Sequence, residues 1–224
     1  MSIQKFKKPV FVIAMDNEAA AVTAHLENLQ ESKMFGRRVL SGSYRGTPVS
    51  VVVTGIGKSN AAAGTQLALS LGADVLINAG VAGGLLPTMK VAEIYRVKAA
   101  VQYDFDLAVI NNTKIGTLNE YKERELPLMT VGTRPDAVLG TGDRFNDSEA
   151  DFRFLVDDVK AGLRDMEGAA IVHVALRAEV PCVSFKSVSD VHGSGSTIDQ
   201  YLVNLGKALK TLSDEVPSVL NELI

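Results

Sequence analysis

The sequence has little that would direct the protein to an oxidising compartment or to an anionic polymer. It contains one cysteine, Cys182, which cannot form an internal disulfide, so nothing in the composition calls for oxidising conditions. The net charge is −3, which leaves no basic surplus to neutralise nucleic acid or an anionic membrane. We therefore expect a small-molecule partner, with no nucleic acid and no membrane.

The chain also has no long hydrophobic run. No stretch approaches the roughly 20 apolar residues that a helix needs to span a bilayer. The basic start at residues 1–8 and the apolar run at 10–15 slightly resemble a signal peptide, but the run ends at Asp16 without a small-residue cleavage site. A first buried strand explains this run better, and we expect a cytoplasmic protein.

Several common functional motifs are missing as well. No group of histidines and cysteines has metal-ligand spacing, and no G-x-S-x-G nucleophile motif occurs. The glycines at 55–57 and 80–84 lack the G-x-G-x-x-G spacing of a dinucleotide-binding loop. The Gly-Lys-Ser segment at 57–59 resembles the end of a P-loop, yet no glycine stands at the required distance upstream.

What the sequence does contain is an alternation of strand and helix patterns over residues 1–224. A continuous apolar run at 10–15 predicts a strand buried on both faces, and further buried strands are predicted at 74–79 and 181–189. Helical patterns lie at 17–28, 59–70, 168–178 and 201–223, with an expected break near Pro217. The length suits one large α/β domain, so we predict a single sheet with helices on both faces.

Polar or glycine-rich segments follow several of the predicted strands. These segments are 16–18, 55–57, 80–84, Asp143 and Asp190. In open α/β sheets, ligands bind beyond the carboxyl ends of the strands. The clustering therefore predicts a ligand site at that edge of the sheet.

Taken singly, these candidates also have ordinary structural explanations. Glu18 and Glu167 stand at the starts of predicted helices, where the helix dipole favours negative charge. Asp190 fits a turn or a helix N-cap, and the glycines fit tight turns. His192 is close enough to Asp190 in the sequence to be a further ligand contact. Only the combination of these residues favours a functional site.

Five short motifs occur in a characteristic order along the chain. They are Ala-Met-Asp-Asn-Glu at 14–18, Thr-Gly-Ile-Gly-Lys at 54–58, Asn-Ala-Gly-Val-Ala-Gly-Gly-Leu at 78–85, Asp-Met-Glu-Gly-Ala-Ala at 165–170 and Ser-Val-Ser-Asp-Val at 187–191. Together they resemble the purine nucleoside phosphorylase and uridine phosphorylase superfamily, and within it the 5′-methylthioadenosine/S-adenosylhomocysteine nucleosidases. The likeness covers about residues 9–107 and 137–210.

The resemblance implies a nucleoside phosphorylase-like fold. This is a single α/β domain with a central mixed, partly barrel-like β-sheet flanked by helices. The resemblance also implies a homodimer in which a loop of the partner closes each pocket. The implied ligand is a purine nucleoside, and no metal or organic cofactor is required.

The resemblance also implies roles for residues at matching positions. Glu18 would activate the attacking water, and Asp190 would protonate or hydrogen-bond purine N7. Met166 and Glu167 would hold the ribose. Further substrate-binding positions implied in this way are Met15, Ile56, Val81, Phe145, Asn146, Lys186 and Tyr201. The chemistry is consistent with these roles, because glycoside cleavage builds positive charge on the sugar and requires a proton for the leaving base.

Some positions depart from the family pattern. Val81 stands where serine is usual, and Asn146 replaces an apolar residue beside the base. Lys186 stands where arginine is usual, and lysine cannot reproduce the bidentate fork of a guanidinium. The segment 108–136 is shorter than expected for the family. These departures concern residues of the pocket, so the sequence does not identify the 5′ substituent of the substrate.

The segment 16–18 separates hydrolysis from phosphorolysis. Phosphorylases of this superfamily typically place an arginine in the loop after the first strand, whereas this chain has Asp16, Asn17 and Glu18 there. A carboxylate repels phosphate and suits the activation of water. We therefore expect hydrolysis of 5′-methylthioadenosine or S-adenosylhomocysteine with release of adenine. The alternatives are phosphorolysis of a nucleoside and a nucleoside-binding protein with little turnover.

Overall fold

Strands and helices alternate in the computed structural model, which describes residues 5–145 and 147–224. The strands are β1 (Pro9–Ile13), β2 (Glu27–Met34), β3 (Arg37–Tyr44), β4 (Thr47–Val53), β5 (Val75–Gly84), β6 (Ile94–Gln102), β7 (Leu126–Pro127), β8 (Asp136–Thr141), β9 (Leu163–Asp165) and β10 (Cys182–Val191). The helices are α1 (Asp16–Thr23), α2 (Lys58–Ser70), α3 (Ala108–Asn111), α4 (Glu149–Arg153), α5 (Gly168–Arg177) and α6 (Thr197–Leu223). A π-helical turn over Phe154–Val159 continues α4.

Five of the strands close into a ring, and four others continue from it as an open sheet. β5 pairs with β10, β10 with β6, β6 with β8, β8 with β9, and β9 pairs back with β5. From β5 the open part continues through β1, β4 and β3 to β2. The ring contains both parallel and antiparallel pairs. The predicted mixed, partly barrel-like sheet is therefore confirmed.

The central strands are buried and consist mostly of apolar or small residues, with Asn78, Lys186 and Asp190 as polar exceptions. Every residue of β1, β5 and β10 is buried, as expected for strands covered on both faces. Side chains such as Leu67 of α2 and Ile171 of α5 cover one face of the sheet. Val22 of α1 and Leu212 of α6 belong to the core on the other face. Among the described residues, no helix is long and apolar enough to cross a membrane.

The helix predicted at 17–28 is too long. α1 ends at Thr23, the N–H of Leu26 donates to the Thr23 carbonyl at 3.0 Å, and Glu27 begins β2. Every residue of β2 is exposed, because this strand is the outermost one of the open sheet. A strand with no buried face has no apolar alternation in its sequence, so the pattern did not reveal it.

The predicted break of the last helix at Pro217 is also wrong. α6 runs without interruption from Thr197 to Leu223. A proline removes one helical hydrogen bond, which usually kinks or ends a helix. Here Val216 and Leu220, on either side of the proline, are fully buried in the core. Their packing keeps the helix intact.

Two segments expected to follow the strands belong to the strands themselves. Gly80 and Gly84 lie inside β5, and Asp190 lies inside β10 rather than at a turn or an N-cap. The pairing of β10 with β5 shifts register between Val188 and Asp190, as at a β-bulge. Bulges redirect side chains, and this one lies beside the cavity described next.

Candidate active site

A cavity of about 410 Å³ opens at the carboxyl ends of β1, β5, β9 and β10 and is bordered by the first turns of α1 and α6. The described residues that line it are Ala14, Met15, Glu18, Ile56, Val81, Ala82, Gly83, Phe145, Arg164, Asp165, Met166, Glu167, Ser189, Asp190, Ile198 and Tyr201. Its size is that of a small-molecule site. The strand ends thus converge on a ligand-sized space.

The cavity brings together most of the residues that the sequence singled out. Those that line it are Met15, Glu18, Ile56, Val81, Phe145, Met166, Glu167, Asp190 and Tyr201. Lys186 is not among the lining residues, and Asn146 lies outside the described part of the chain. Segments far apart in the sequence therefore meet at one site.

Glu18 is buried in the first turn of α1 and is held by two backbone amides. Its Oε2 accepts from the N–H of Met15 at 3.1 Å, and its Oε1 accepts from the N–H of Val81 at 2.8 Å. A Cβ on Gly80 would lie 2.5 Å from Oε1, so this approach to β5 requires a glycine. Burial raises the pKa of Glu18, and the positive charge of Lys186 opposes that rise. The carboxylate is fixed in place and is more basic than an exposed one.

Glu167 precedes α5 and reaches the start of α2. Its Oε1 accepts from the N–H of Gly57 at 2.8 Å, and Asp143 Oδ1 accepts from the next amide, that of Lys58, at 2.8 Å. Gly57 has a φ of +97°, a backbone conformation that favours glycine. Burial and the nearby charge of Asp165 raise the pKa of Glu167 to about 7. This carboxyl group therefore gains or loses its proton near neutral pH.

Asp165 and Lys186 form a buried ion pair beside these carboxylates. Lys186 Nζ lies 2.9 Å from Asp165 Oδ2, and both side chains are almost inaccessible. The same Oδ2 accepts from the N–H of Gly168 at 2.9 Å, which ties the pair to the start of α5. Burial alone would lower the pKa of Lys186, but Asp165, Glu18 and Glu167 raise it on balance. Lys186, which was expected to border the ribose, lies behind the cavity wall and balances the charge of these carboxylates.

Asp190 presents a buried carboxyl group at the bulge in β10. The Ser189 hydroxyl donates to Asp190 Oδ1 at 2.7 Å, and Arg164 Nη2 lies 4.0 Å from Oδ2. Burial raises the pKa of Asp190, while the Ser189 hydrogen bond and the Arg164 charge limit the rise. A carboxyl group with a raised pKa can carry a proton to a bound ligand.

The rim of the cavity is apolar and aromatic. The rings of Phe145 and Tyr201 meet edge to face with their centroids 5.8 Å apart. The Tyr201 hydroxyl donates to Met15 Sδ at 3.5 Å. Ile56, Phe145 and Ile198 line the cavity and yet remain exposed. A flat heterocycle or an apolar substituent can pack against such a surface.

Sequence reasoning did not select Arg164, Asp165 or Ile198 as site residues. Asp165 begins the Asp-Met-Glu motif, and Arg164 directly precedes it, so charged residues at the end of a buried strand were the available signal. Ile198 gave no signal, because the sequence does not show which face of α6 meets the cavity. Among residues 5–145 and 147–224, no cluster of His, Cys, Asp and Glu could hold a metal ion.

Solved structures with the same fold include two kinds of nucleoside hydrolase. A Helicobacter pylori 5′-methylthioadenosine/S-adenosyl homocysteine nucleosidase is 24% identical, with a TM-score of 0.88 over 98% of this chain and 100% of that chain. The futalosine hydrolase of Helicobacter pylori is also 24% identical, with a TM-score of 0.89 over 97% and 99%. A Colwellia psychrerythraea nucleosidase in complex with adenine is 24% identical, with a TM-score of 0.89 over 100% and 98%.

Family membership follows from the sequence itself. The sequence model of the phosphorylase superfamily matches residues 8–221, nearly the whole chain. The match includes every described residue that lines the cavity. The protein therefore belongs to the phosphorylase superfamily.

Proposed function

We propose that the protein hydrolyses the N-glycosidic bond of a purine nucleoside. The observation that carries this proposal is the convergence of Glu18, Glu167 and Asp190 on one cavity, where burial raises the pKa of each. Glycoside cleavage uses carboxylates to stabilise positive charge on the sugar and a carboxylic acid to protonate the leaving group. The similarity to nucleosidases and to a futalosine hydrolase supports the same reaction class.

In the proposed mechanism, protonated Asp190 donates its proton to N7 of the base as the bond between C1′ and N9 breaks. The electron pair of that bond stays with the base, and positive charge develops on the ribose. Glu167 accepts hydrogen bonds from the ribose hydroxyls. Glu18 removes a proton from the water that adds to C1′. The products are the free base and the free sugar, and exchange with solvent returns a proton from Glu18 to Asp190.

Water suits this site better than phosphate as the attacking group. The Glu18 carboxylate already occupies the amides of Met15 and Val81, which would otherwise be available to an anion. Arg164 is the only cation among the described lining residues, and its Nη2 donates to the Thr197 hydroxyl at 3.1 Å. The carboxylates around the cavity repel a phosphate dianion. These contacts support hydrolysis over phosphorolysis.

Three nucleosides are candidate substrates. 5′-Methylthioadenosine and S-adenosylhomocysteine come first, because nucleosidases named for them share the fold and because the sequence motifs resemble theirs. Futalosine is the third, because a futalosine hydrolase is equally similar. The apolar rim formed by Ile56, Phe145 and Tyr201 fits a thioether or another apolar group at the 5′ position.

The test is the release of free base from each candidate with and without phosphate, followed by chromatography of the sugar. We expect base and free sugar in equal amounts, independent of phosphate. Asp190→Asn and Glu18→Gln should each lower kcat by about 10²- to 10⁴-fold. Asp214→Asn, at an exposed position of α6, should retain full activity. A sugar phosphate would show phosphorolysis instead, and binding without any product would favour the nucleoside-binding alternative.

We further propose that the protein works as a homodimer. Val109 and Ile110 of α3 are 99% and 79% exposed, and exposed apolar side chains of this kind mark interaction surfaces. α3 follows Asp104, whose Oδ2 accepts from the backbone N–H of Asp143 at 3.0 Å. Asp143 Oδ1 in turn accepts from the N–H of Lys58, next to the Gly57 amide that donates to Glu167, so hydrogen bonds link the segment before α3 to the cavity. A second copy here would cover the apolar side chains and complete the rim.

A further inference from the structure

Arg164, Gly83 and Asp190 occupy one row across three neighbouring strands. Asp190 of β10 pairs with Gly83 of β5, and Gly83 pairs in turn with Arg164 of β9. A Cβ on Gly83 would lie 2.9 Å from Asp190 Oδ2 and 3.1 Å from Arg164 Nε. Because Gly83 has no side chain, the arginine and the carboxyl group lie side by side at the cavity wall.

Both groups are largely buried and still line the cavity. The Arg164 side chain is 12% exposed and that of Asp190 is 3% exposed, with Nη2 and Oδ2 4.0 Å apart. Arg164 Nη2 donates to the Thr197 hydroxyl at 3.1 Å, which anchors the guanidinium under the first turn of α6. Ser189 donates to Asp190 Oδ1, so Oδ2 is the carboxyl oxygen on the Arg164 side. Arg164 and the proposed proton donor Asp190 therefore lie at the same end of the cavity.

A purine displays N7 and its C6 substituent along one edge. In a 6-aminopurine this edge has one acceptor and one donor, whereas in a 6-oxopurine both groups are acceptors. A protonated Asp190 and the Arg164 guanidinium both present donors, and a guanidinium has no acceptor. A C6 amino group would face a cation to which it cannot hydrogen-bond, while a C6 carbonyl would accept from it. The pair is complementary to the 6-oxopurine edge.

We propose that Arg164 makes the site selective for nucleosides of 6-oxopurines, donating to O6 while Asp190 donates to N7. This inference rests on the proposed hydrolysis and narrows its substrate to inosine- or guanosine-type nucleosides, in contrast to the adenosine type that the family resemblance implies. It has a catalytic consequence as well. Electron density moves onto the base as the C1′–N9 bond breaks, so a fixed cation at O6 stabilises the transition state more than the bound substrate.

The experiment compares 5′-deoxyinosine with 5′-deoxyadenosine, which differ only at C6. We expect kcat/KM for the inosine compound to be at least about tenfold higher in the wild type. Arg164→Met should lower it about 10- to 100-fold for 5′-deoxyinosine and much less for 5′-deoxyadenosine, so that the preference for the inosine compound is lost. The Arg164→Gln variant should cleave both nucleosides, because the glutamine amide can donate to a C6 carbonyl or accept from a C6 amino group. Arg153→Met, at an exposed position of α4, is the matched control and should change neither.

The outcomes separate this inference from the proposed function. Faster cleavage of 5′-deoxyadenosine by the wild type, with the same preference in Arg164→Met, overturns the role of Arg164 and leaves the hydrolase assignment intact. Release of no base from either compound, or from the three candidates above, overturns the hydrolase assignment and this inference with it. If circular dichroism shows that Arg164→Met is unfolded, the wild-type preference and the Arg164→Gln variant decide the question.

Discussion

At the residue scale, the site concentrates negative charge where water is largely excluded. The acidic side chains involved are Glu18, Asp165, Glu167 and Asp190, and the cations beside them are Lys186 and Arg164. Burial penalises the ionised form of each carboxyl group, which is why the pKa of Glu18, Glu167 and Asp190 is raised. The buried carboxyl groups of the candidate site therefore lower the stability of the folded state when they are ionised. This loss can be measured as a change in the free energy of unfolding.

Replacing Glu167 by glutamine should stabilise the protein at alkaline pH. The ordinary pKa is 4.5 and the folded value is about 7, so the folded state binds a proton that the unfolded state releases between these values. The stability supplied by this proton is present at low pH and lost as the pH rises through about 7. The glutamine amide can still accept from the N–H of Gly57.

Urea unfolding at pH 8 and at pH 4.5 measures this effect. Glu167→Gln should raise the free energy of unfolding by about 1–3 kcal/mol at pH 8, with a much smaller gain at pH 4.5. The same variant should lose activity, because the proposed contact of Glu167 with the ribose is weakened. An equal gain at both pH values would show that the carboxylate is not the source of the instability.

The ion pair of Lys186 with Asp165 should behave as a coupled unit. Lys186→Met leaves a buried carboxylate without its cation, which typically costs about 3–5 kcal/mol of unfolding free energy. The double variant with Asp165→Asn should recover part of that loss. Lys210→Met removes an exposed pair with Asp214 and should change stability by less than about 1 kcal/mol. Strictly additive effects in the Lys186 and Asp165 cycle would show that the pair is not coupled.

At the element scale, close approach of helix to sheet sets which residues are tolerated. Gly64 lies in α2, and a Cβ there would be 2.2 Å from Thr54 Cγ2, just after β4. Gly206 lies on the exposed side of α6, with nothing within 4 Å of a Cβ built on it. The two glycines share a helical setting and differ in what surrounds them.

Alanine at these two glycines should have opposite effects. Gly206→Ala should stabilise the protein by about 0.5–1 kcal/mol, because alanine loses less backbone freedom in a helix. Gly64→Ala should destabilise it by about 1–3 kcal/mol, because α2 must move away from the sheet. Thermal unfolding of both variants tests this. A gain for Gly64→Ala would mean that the helix accommodates the methyl group without strain.

The long buried strands were predictable from the sequence, whereas the exposed edge strand was not. The strand β1 appears as an uninterrupted apolar run, since both of its faces are covered, and β10 was predicted as a buried strand although polar residues interrupt its apolar ones. The exposed strand β2 has no apolar pattern, so its first two residues were assigned to a helix and the others to no element. Pro217 gave a local signal for a break, but tertiary packing of the residues around it prevails. Local sequence patterns thus predict which residues are buried more reliably than they predict where an element begins and ends.

The site was predictable where it depends on strand ends and motifs. The rule that ligands bind beyond strand carboxyl ends drew attention to Glu18 and Asp190, and both line the cavity. The neighbourhood of Arg164 and Asp190 depends on the registers of β9 and β10 against β5, which no local pattern shows. The position of Lys186 likewise depends on its partner Asp165 across the ring. Contacts that depend on how strands pair could not be predicted from the sequence.

At the scale of the whole molecule, the exposed apolar residues of α3 make the state of assembly testable. We expect sedimentation equilibrium to give a dimer for the wild type, because Val109 and Ile110 need to be covered. Ile110→Asp should yield a monomer with weakened substrate binding if the second copy completes the rim. Lys114→Asp, a change of charge at an exposed position nearby, serves as the control. A monomeric wild type would contradict the proposed dimer.

The ring of strands also constrains the order in which the protein can mature on the ribosome. β10 is the strand that joins β5 to β6, and it is the last strand to be synthesised. Until it emerges, both of its neighbours expose unpaired edges of buried apolar strands, which are prone to associate with other chains. Lys186 and Asp190 arrive on that same strand. Closure of the ring and assembly of the candidate site therefore occur together, late in synthesis. Until then the nascent chain lacks a complete site and is prone to aggregate.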